Sequence, residues 1–278
     1  KIELNLQRTS KNKHLIVIDP GHGGKDPGAA RGSVVEKKIV LAVGTYLRDE
    51  LSKDFNVVMT RDSDVFVVLS QRPKMANKSN AKLFVSIHAN ASESKNANGV
   101  EVFYFSKKSS PYAERIANFE NTIGEQYGDS SDKIIQISGE LAYKKNQENS
   151  IRLARKIAEN ISSGLALKNG GVHGANFAVL RGFNGTGVLI ELGFVSNSYD
   201  AAILVDIDSQ QKMAEENSLC HFNYFSSLFT SSHKISISIK ERSLTDESRS
   251  NAFSSTLRKR CSNLLFALRK ASSALHLR

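Results

Sequence analysis

Leu15-Ile16-Val17-Ile18-Asp19-Pro20-Gly21-His22-Gly23-Gly24 is an apolar run of strand length that empties into a glycine turn carrying one imidazole. A short apolar run closed by proline and glycine reads as a buried strand. Two further runs end in a polar side chain of the same kind: Leu83-Phe84-Val85-Ser86-Ile87-His88 and Gly187-Val188-Leu189-Ile190-Glu191. Strand-like stretches also lie at 56–60 and 100–105. Between them, Ile39, Val40, Val43, Leu47 and Leu51 recur at helical spacing, predicting a helix from Glu36 to Lys53. Further helices are expected from Ser70 to Ser79 and from Gln147 to Ile161, with a closing helical region at 199–216. Strands alternating with helices imply an α/β fold. The expectation is a single domain with a mainly parallel twisted sheet flanked by helices, followed by an irregular C-terminal tail.

In such sheets, sites form where strands end and adjacent loops diverge. His22, His88 and Glu191 can therefore share one sheet edge, and Glu36, in the first turn of its helix, can lean over it. A hydrolytic zinc site takes three nitrogen or oxygen ligands and leaves a position for water. Two imidazoles and a carboxylate meet that requirement, and a second carboxylate is then needed to take the proton of water and return it to a leaving amine. On this reading His22, Glu36 and His88 hold one Zn(II) and Glu191 is the base. Each residue alone has a simpler explanation. His22 can be a hydrogen-bonded loop residue, and Glu36 a helix amino-terminal carboxylate favoured by the dipole. Glu191, following Val188-Leu189-Ile190, has to be partnered or exposed at a site. Gly21-His22-Gly23-Gly24-Lys25-Asp26 lacks the GxxxxGK[ST] arrangement of a nucleotide loop.

The chain has 278 residues and a net charge of +10. From Ser231 to Arg278 there are ten Lys or Arg and three Asp or Glu, so +7 of that charge lies in the last stretch. The body is nearly neutral, and a solvated basic tail is expected rather than a nucleic-acid surface. All 18 glycines lie at or before Gly193 and all four prolines at or before Pro111, which marks a break in composition. Both cysteines, Cys220 and Cys261, fall late and outside the motifs, so the chemistry needs no thiolate. No stretch approaches about 18 consecutive apolar residues, so no membrane insertion is expected. Lys1-Ile2-Glu3-Leu4-Asn5-Leu6 lacks the layout of a leader peptide.

Taken in order, Ile18-Asp19-Pro20-Gly21-His22-Gly23-Gly24-Lys25-Asp26-Pro27-Gly28-Ala29, Glu36-Lys37, Thr60-Arg61-Asp62, Leu69-Ser70-Gln71-Arg72, Phe84-Val85-Ser86-Ile87-His88-Ala89-Asn90-Ala91, Ala175-Asn176-Phe177 and Leu189-Ile190-Glu191-Leu192-Gly193-Phe194-Val195-Ser196-Asn197 resemble the zinc-dependent N-acetylmuramoyl-L-alanine amidases. The resemblance runs from about residue 14 to 215 and implies a catalytic domain over 14–216, with an atypical Ser-rich tail over 217–278. It puts the metal ligands on His22, Glu36 and His88 and the catalytic glutamate on Glu191. It implies peptidoglycan as substrate, cleaved between N-acetylmuramic acid and L-alanine, and an exported, periplasmic monomer.

The segment beginning Pro111-Tyr112-Ala113-Glu114-Arg115 resembles the start of an insertion found in division-associated members, here placed at about 106–146. There a helix covers the site and a glutamate from it fills the open metal position. Glu120 is the candidate for that glutamate, with Glu125 and Glu140 behind it. Such a chain is self-inhibited and takes a protein activator that displaces the helix. Asn184-Gly185-Thr186-Gly187 departs from the Pro-Ser approach usual before the last strand. Two other readings stand beside this one: a wall-binding module without turnover, and a zinc peptidase acting within the stem peptide.

Overall fold

The opening apolar run forms β1 (Leu15–Pro20), with Ile16 and Ile18 on one side and Val17 on the other. The computed structural model describes residues 13–126 and 133–230, apart from the side chains of 123–126, 133–143, 222, 223 and 225–230. The described residues all belong to one unit, Arg8–Ile235. After β1 come a small antiparallel pair, β2 (Ala30–Arg31) and β3 (Val34–Val35), then α1 (Glu36–Leu51), β4 (Asn56–Met59), α2 (Gln71–Lys78), β5 (Leu83–Asn90) and β6 (Val100–Phe105). The chain continues through α3 (Pro111–Gln126), α4 (Lys133–Leu165), β7 (Asn169–Ala175), α5 (Ala178–Arg181), β8 (Thr186–Phe194), α6 (Ser198–Val205) and α7 (Ile207–Thr230).

Six strands make one sheet in the order β4-β1-β5-β8-β6-β7. Four of them, β4, β1, β5 and β8, run parallel, and β6 turns antiparallel against β8 while β7 follows β6 in parallel. The sheet is therefore mainly parallel, as the sequence pattern implies. Its central strands β5 and β8 are buried at every position, which is why they read as continuous apolar runs rather than alternating ones.

The two faces are covered unequally. On one, Leu83, Val85 and Ile87 of β5 and Val188 and Ile190 of β8 pack against Val40, Val43 and Leu47 of α1, Leu153 and Ile157 of α4, and Met213 of α7. On the other, Phe84, Phe103 and Leu189 meet Ala76 of α2, Ala113, Ile116 and Ala117 of α3, and Val179 and Leu180 of α5. Among the described side chains, Ala113, Ile116, Ala117 and part of Tyr112 hold α3 whereas five large aliphatics hold α1, a larger apolar contact at about 25 cal/mol per Å² of buried area. Alternation along β5 sends Ser86 and His88 to the face of Phe84, and along β8 it sends Glu191 to the face of Leu189. The polar residues thus interrupt the thinner layer, the one that α3 covers.

The structure departs from the sequence pattern at three places. The strand β7, Asn169-Gly170-Gly171-Val172-His173-Gly174-Ala175, has no apolar pattern and exists through its ladder with β6. The helix expected from Gln147 is the second half of the longer α4. The boundary expected at 216 falls inside α7, whose Asn217, Ser218, Cys220, His221 and Tyr224 are buried. The basic stretch beyond it lies outside the described residues.

Candidate metal and catalytic site

Asp19, at the end of β1, is fully buried and organises the loop that follows. It accepts hydrogen bonds from Thr60 Oγ1 (2.6 Å), Ser86 Oγ (2.8 Å) and Arg72 Nη1 (2.8 Å). Burial opposes its charge, but the Arg72 guanidinium and these hydrogen bonds hold its carboxyl below the ordinary range. Arg72 also donates to the carbonyls of Pro20 and His22, and Arg61 donates to those of Pro20, Gly21 and Lys37. Two guanidiniums thus grip the loop by its backbone, leaving the His22 side chain free to be aimed. His22 itself adopts a left-handed backbone, φ 57°, uncommon for a residue with a side chain and tolerated where the surroundings dictate it.

Glycine is required at two neighbouring positions. A Cβ on Gly21 would lie 2.4 to 2.8 Å from three atoms of the His88 ring. At Gly28, φ +66°, it would lie 2.5 Å from Glu36 Oε2 and 2.7 Å from His22 Cδ2. The imidazoles and the carboxylate occupy the volume those side chains would fill.

The donor atoms converge. Glu36 Oε1 lies 3.0 Å from His22 Nε2 and 3.1 Å from His88 Nδ1, and the two rings meet edge to face with centroids 4.9 Å apart. Backbone N–H groups of Ala29 and Ala89 donate to Glu36 Oε2 and Oε1 at 2.7 and 2.9 Å, fixing its orientation. Asp26 Oδ2 sits 2.8 Å from His22 Nδ1, which assigns the proton to Nδ1 and leaves Nε2 with its lone pair toward the cluster. Although Glu36 is near, His22 Nε2 makes no hydrogen bond of proper direction. An orphaned, buried nitrogen beside two carboxylates is the signature of a cation site.

From α3, Glu120 Oε2 reaches 3.5 Å from His22 Nε2 and 3.3 Å from His88 Nδ1. His22, His88 and Glu120 offer ligand atoms all within 4.8 Å of one another and could hold a metal ion. Glu36 contributes an oxygen between the same two nitrogens. A cavity of about 30 Å³ adjoins the cluster, bounded by His22, Asp26, Phe66, Arg72, His88 and Glu120, large enough for a water molecule. The side chains of Glu125 and Glu140 lie outside the description.

Burial alone would lower the His22 imidazole, but Glu36, Glu120 and Asp26 raise it well above its ordinary value. For Glu36, burial is overcome by His22 and His88, which hold its carboxyl low. Glu120 is raised, chiefly by burial. Glu191 stands opposite His88 in the β5–β8 ladder and is raised well above its ordinary value, by burial first and then by the negative neighbours Glu120, Glu36 and Glu101. The sequence required it to be partnered or exposed. It is neither: it is 1 % exposed and both its oxygens lack a hydrogen bond among the described residues. A carboxyl so destabilised in its charged form is matched to proton transfer near neutrality.

The roles of Asp26, Arg61 and Arg72 do not follow from the sequence pattern. The Arg61 and Arg72 motifs mark a resemblance, but their use as backbone clamps appears only in the folded loop.

The family description N-acetylmuramoyl-L-alanine amidase (Amidase_3) matches residues 16–218, a span holding every site residue named above. The chain belongs to that family. Its enzyme class is amidase, a hydrolase of peptidoglycan. The amidase AmiA of Escherichia coli K12 is 31 % identical over 229 residues, covering 78 % of this chain and 79 % of that protein. The amidase AmiC of Neisseria meningitidis serogroup B is 32 % identical over 197 residues, covering 68 % of this chain but only 47 % of the relative, so the chain spans about half the length of that protein. Among solved structures, the CwlD amidase of Clostridioides difficile in complex with the GerS lipoprotein superposes with a TM-score of 0.60 at 27 % identity, covering 78 % of this amidase and 100 % of that chain. No helix among the described residues is long and apolar enough to cross a membrane.

Proposed function

We propose that this chain cleaves the amide between N-acetylmuramic acid and the L-alanine of the stem peptide, with one zinc ion held by His22, Glu36 and His88. The observation that carries the reading is Glu36 Oε1 lying about 3 Å from both His22 Nε2 and His88 Nδ1, beside a Glu191 without a hydrogen-bond partner among the described residues. Zinc, when bound, acts as a Lewis acid on the carbonyl and makes water acidic enough to attack at neutral pH. Glu191 would take a proton from the attacking water and deliver it to the departing amine nitrogen. Asp26 keeps His22 in the tautomer that presents Nε2. Arg61 and Arg72 hold the loop so that no reorganisation is needed as the reaction proceeds.

The second part of the proposal concerns Glu120. Its carboxylate sits against both imidazoles, in the space a substrate carbonyl needs, and α3 carries it there as an autoinhibitory element. A protein activator would lift α3, as fits the weak apolar grip of that helix. The amidase would then serve wall turnover and daughter-cell separation in the periplasm. Mass spectrometry of purified peptidoglycan tests the reaction. Digestion should release intact stem peptides beginning at L-alanine and leave the glycan unbroken, with no release by Glu191→Gln or in chelator. Fragments cut within the stem peptide would instead identify a peptidase.

A further inference from the structure

Glu101 of β6 lies directly opposite Glu191 of β8, and Glu191 lies directly opposite His88 of β5. Directly opposed residues project from one face, about 4.8 Å apart from strand to strand, so His88, Glu191 and Glu101 form one row across the sheet. The first belongs to the metal cluster and the second is the base. The third has no part in the reaction as derived above.

Glu101 is only 6 % exposed, and a carboxylate so buried needs hydrogen-bond donors. The Tyr112 hydroxyl lies 2.8 Å from Oε1 and 2.7 Å from Oε2, and Asn90 Nδ2 donates to Oε2 at 3.2 Å. The remaining neighbour, His173 Nε2, is 3.6 Å from Oε1 and is paired with the Gly170 carbonyl at 3.0 Å. Tyr112 is thus the hydrogen-bonding donor of Oε1, and Tyr112 belongs to α3. Lifting α3 removes this donor together with Glu120, leaving an acceptor bare in the same row as the base.

We propose that Glu101 is a substrate-binding residue whose Oε1, once Tyr112 has left with α3, accepts a hydrogen bond from a backbone amide N–H of the stem peptide. The assignment rests on the amidase reading above. An extended peptide carries an N–H every ~3.3 Å, turned alternately to either side, so donors facing one way recur every ~6.6 Å, and one of these can meet Glu101 when the scissile amide lies beside Glu191. The closed chain then blocks two substrate contacts with one helix: Glu120 covers the metal position, and Tyr112 covers the acceptor.

The test is equilibrium binding of a fluorescent muramoyl-peptide to the full chain, zinc-loaded and made non-turnover by Glu191→Gln. Adding Glu101→Gln should weaken binding about tenfold, the loss of one charge-assisted hydrogen bond. Adding Tyr112→Phe should tighten it severalfold, and the combination should match Glu101→Gln alone. A residue that merely anchors α3 gives the opposite pattern, with Glu101→Gln and Tyr112→Phe both tightening binding, and that result overturns the inference. So does unchanged affinity in Glu101→Gln, or no measurable binding to the Tyr112→Phe chain. Thermal melts confirm that each variant folds. If the binding pattern holds while the Tyr112→Phe chain with Glu191 intact fails to cleave the ligand it binds, the amidase reading fails and Glu101 remains a contact for the bound peptide. If it cleaves but Glu101→Gln binds normally, the inference fails alone.

Discussion

Replacing Asn121 by alanine isolates the energy that keeps α3 closed. Asn121 Nδ2 donates to the Asn176 carbonyl at 2.9 Å, and the Ala178 N–H donates to Asn121 Oδ1 at 2.8 Å, so one amide ties the end of the helix to the loop between β7 and α5. Neutral hydrogen bonds of this kind contribute about 0.5–1.5 kcal/mol each. Asn121 is half-buried and its bond to Asn176 is exposed, so water replaces part of what is lost. A loss of about 1–2 kcal/mol follows, which multiplies the open population by roughly 5 to 30. If Glu120 inhibits by sitting in the site, release of dye from labelled peptidoglycan should rise by the same factor. Amide hydrogen exchange in α3 should quicken in parallel, while the melting temperature, set by the sheet and by α1, α4 and α7, changes little. Faster exchange without faster hydrolysis would refute autoinhibition. Unchanged exchange would refute the clamp.

Three further outcomes are expected. Gly21→Ala should fold but hold zinc at least tenfold more weakly in competition with a fluorescent chelator, because its methyl would occupy the position of the His88 ring. Asp26→Ala should weaken zinc by about 10–100-fold by the same assay, since it removes the partner that fixes the His22 tautomer. His221 is fully buried, both ring nitrogens lack partners among the described residues, and burial lowers its pKa to about 3. The unfolded imidazole takes up a proton below about 6.5, and the folded one refuses it until far lower pH. Stability therefore falls as pH drops through that window, by up to about 1.4 kcal/mol per unit. His221→Leu should flatten the decline in denaturant titrations between pH 6 and 4 and stabilise the fold; an unchanged slope would show that another group sets it.

Strands that are buried on both faces announce themselves, and β1, β5 and β8 were legible for that reason. The strand β7 was not, because its glycines answer to neighbours: a Cβ on Gly174 would meet Ser106 and Tyr104, and one on Gly170 would meet Glu101. The end of α7 misled in the other direction. Asn217, Ser218 and His221 are polar, yet like Cys220 and Tyr224 they are buried, a packing that composition does not show. Within the site, His22, Glu36, His88 and Glu191 stood out because each follows or starts an apolar element, and the fold brings the first three into contact with Glu191 next to His88 in the ladder. Asp26 and the two arginines did not, since their work is done through a turn and through carbonyl groups that carry no sequence signal. Glu101 lay hidden in Val100-Glu101-Val102-Phe103, where only the register against Glu191 reveals which face it shares.

The central claim is that two imidazoles and Glu36 bind one zinc ion while Glu191 moves protons without binding it. Metal analysis of chains purified after zinc loading and exhaustive dialysis tests this most directly. One zinc per chain should remain in the native sequence and in Glu191→Gln, whereas His22→Ala, Glu36→Gln and His88→Ala should emerge folded and depleted. Full occupancy in all three, or loss of zinc from Glu191→Gln, would contradict the assignment.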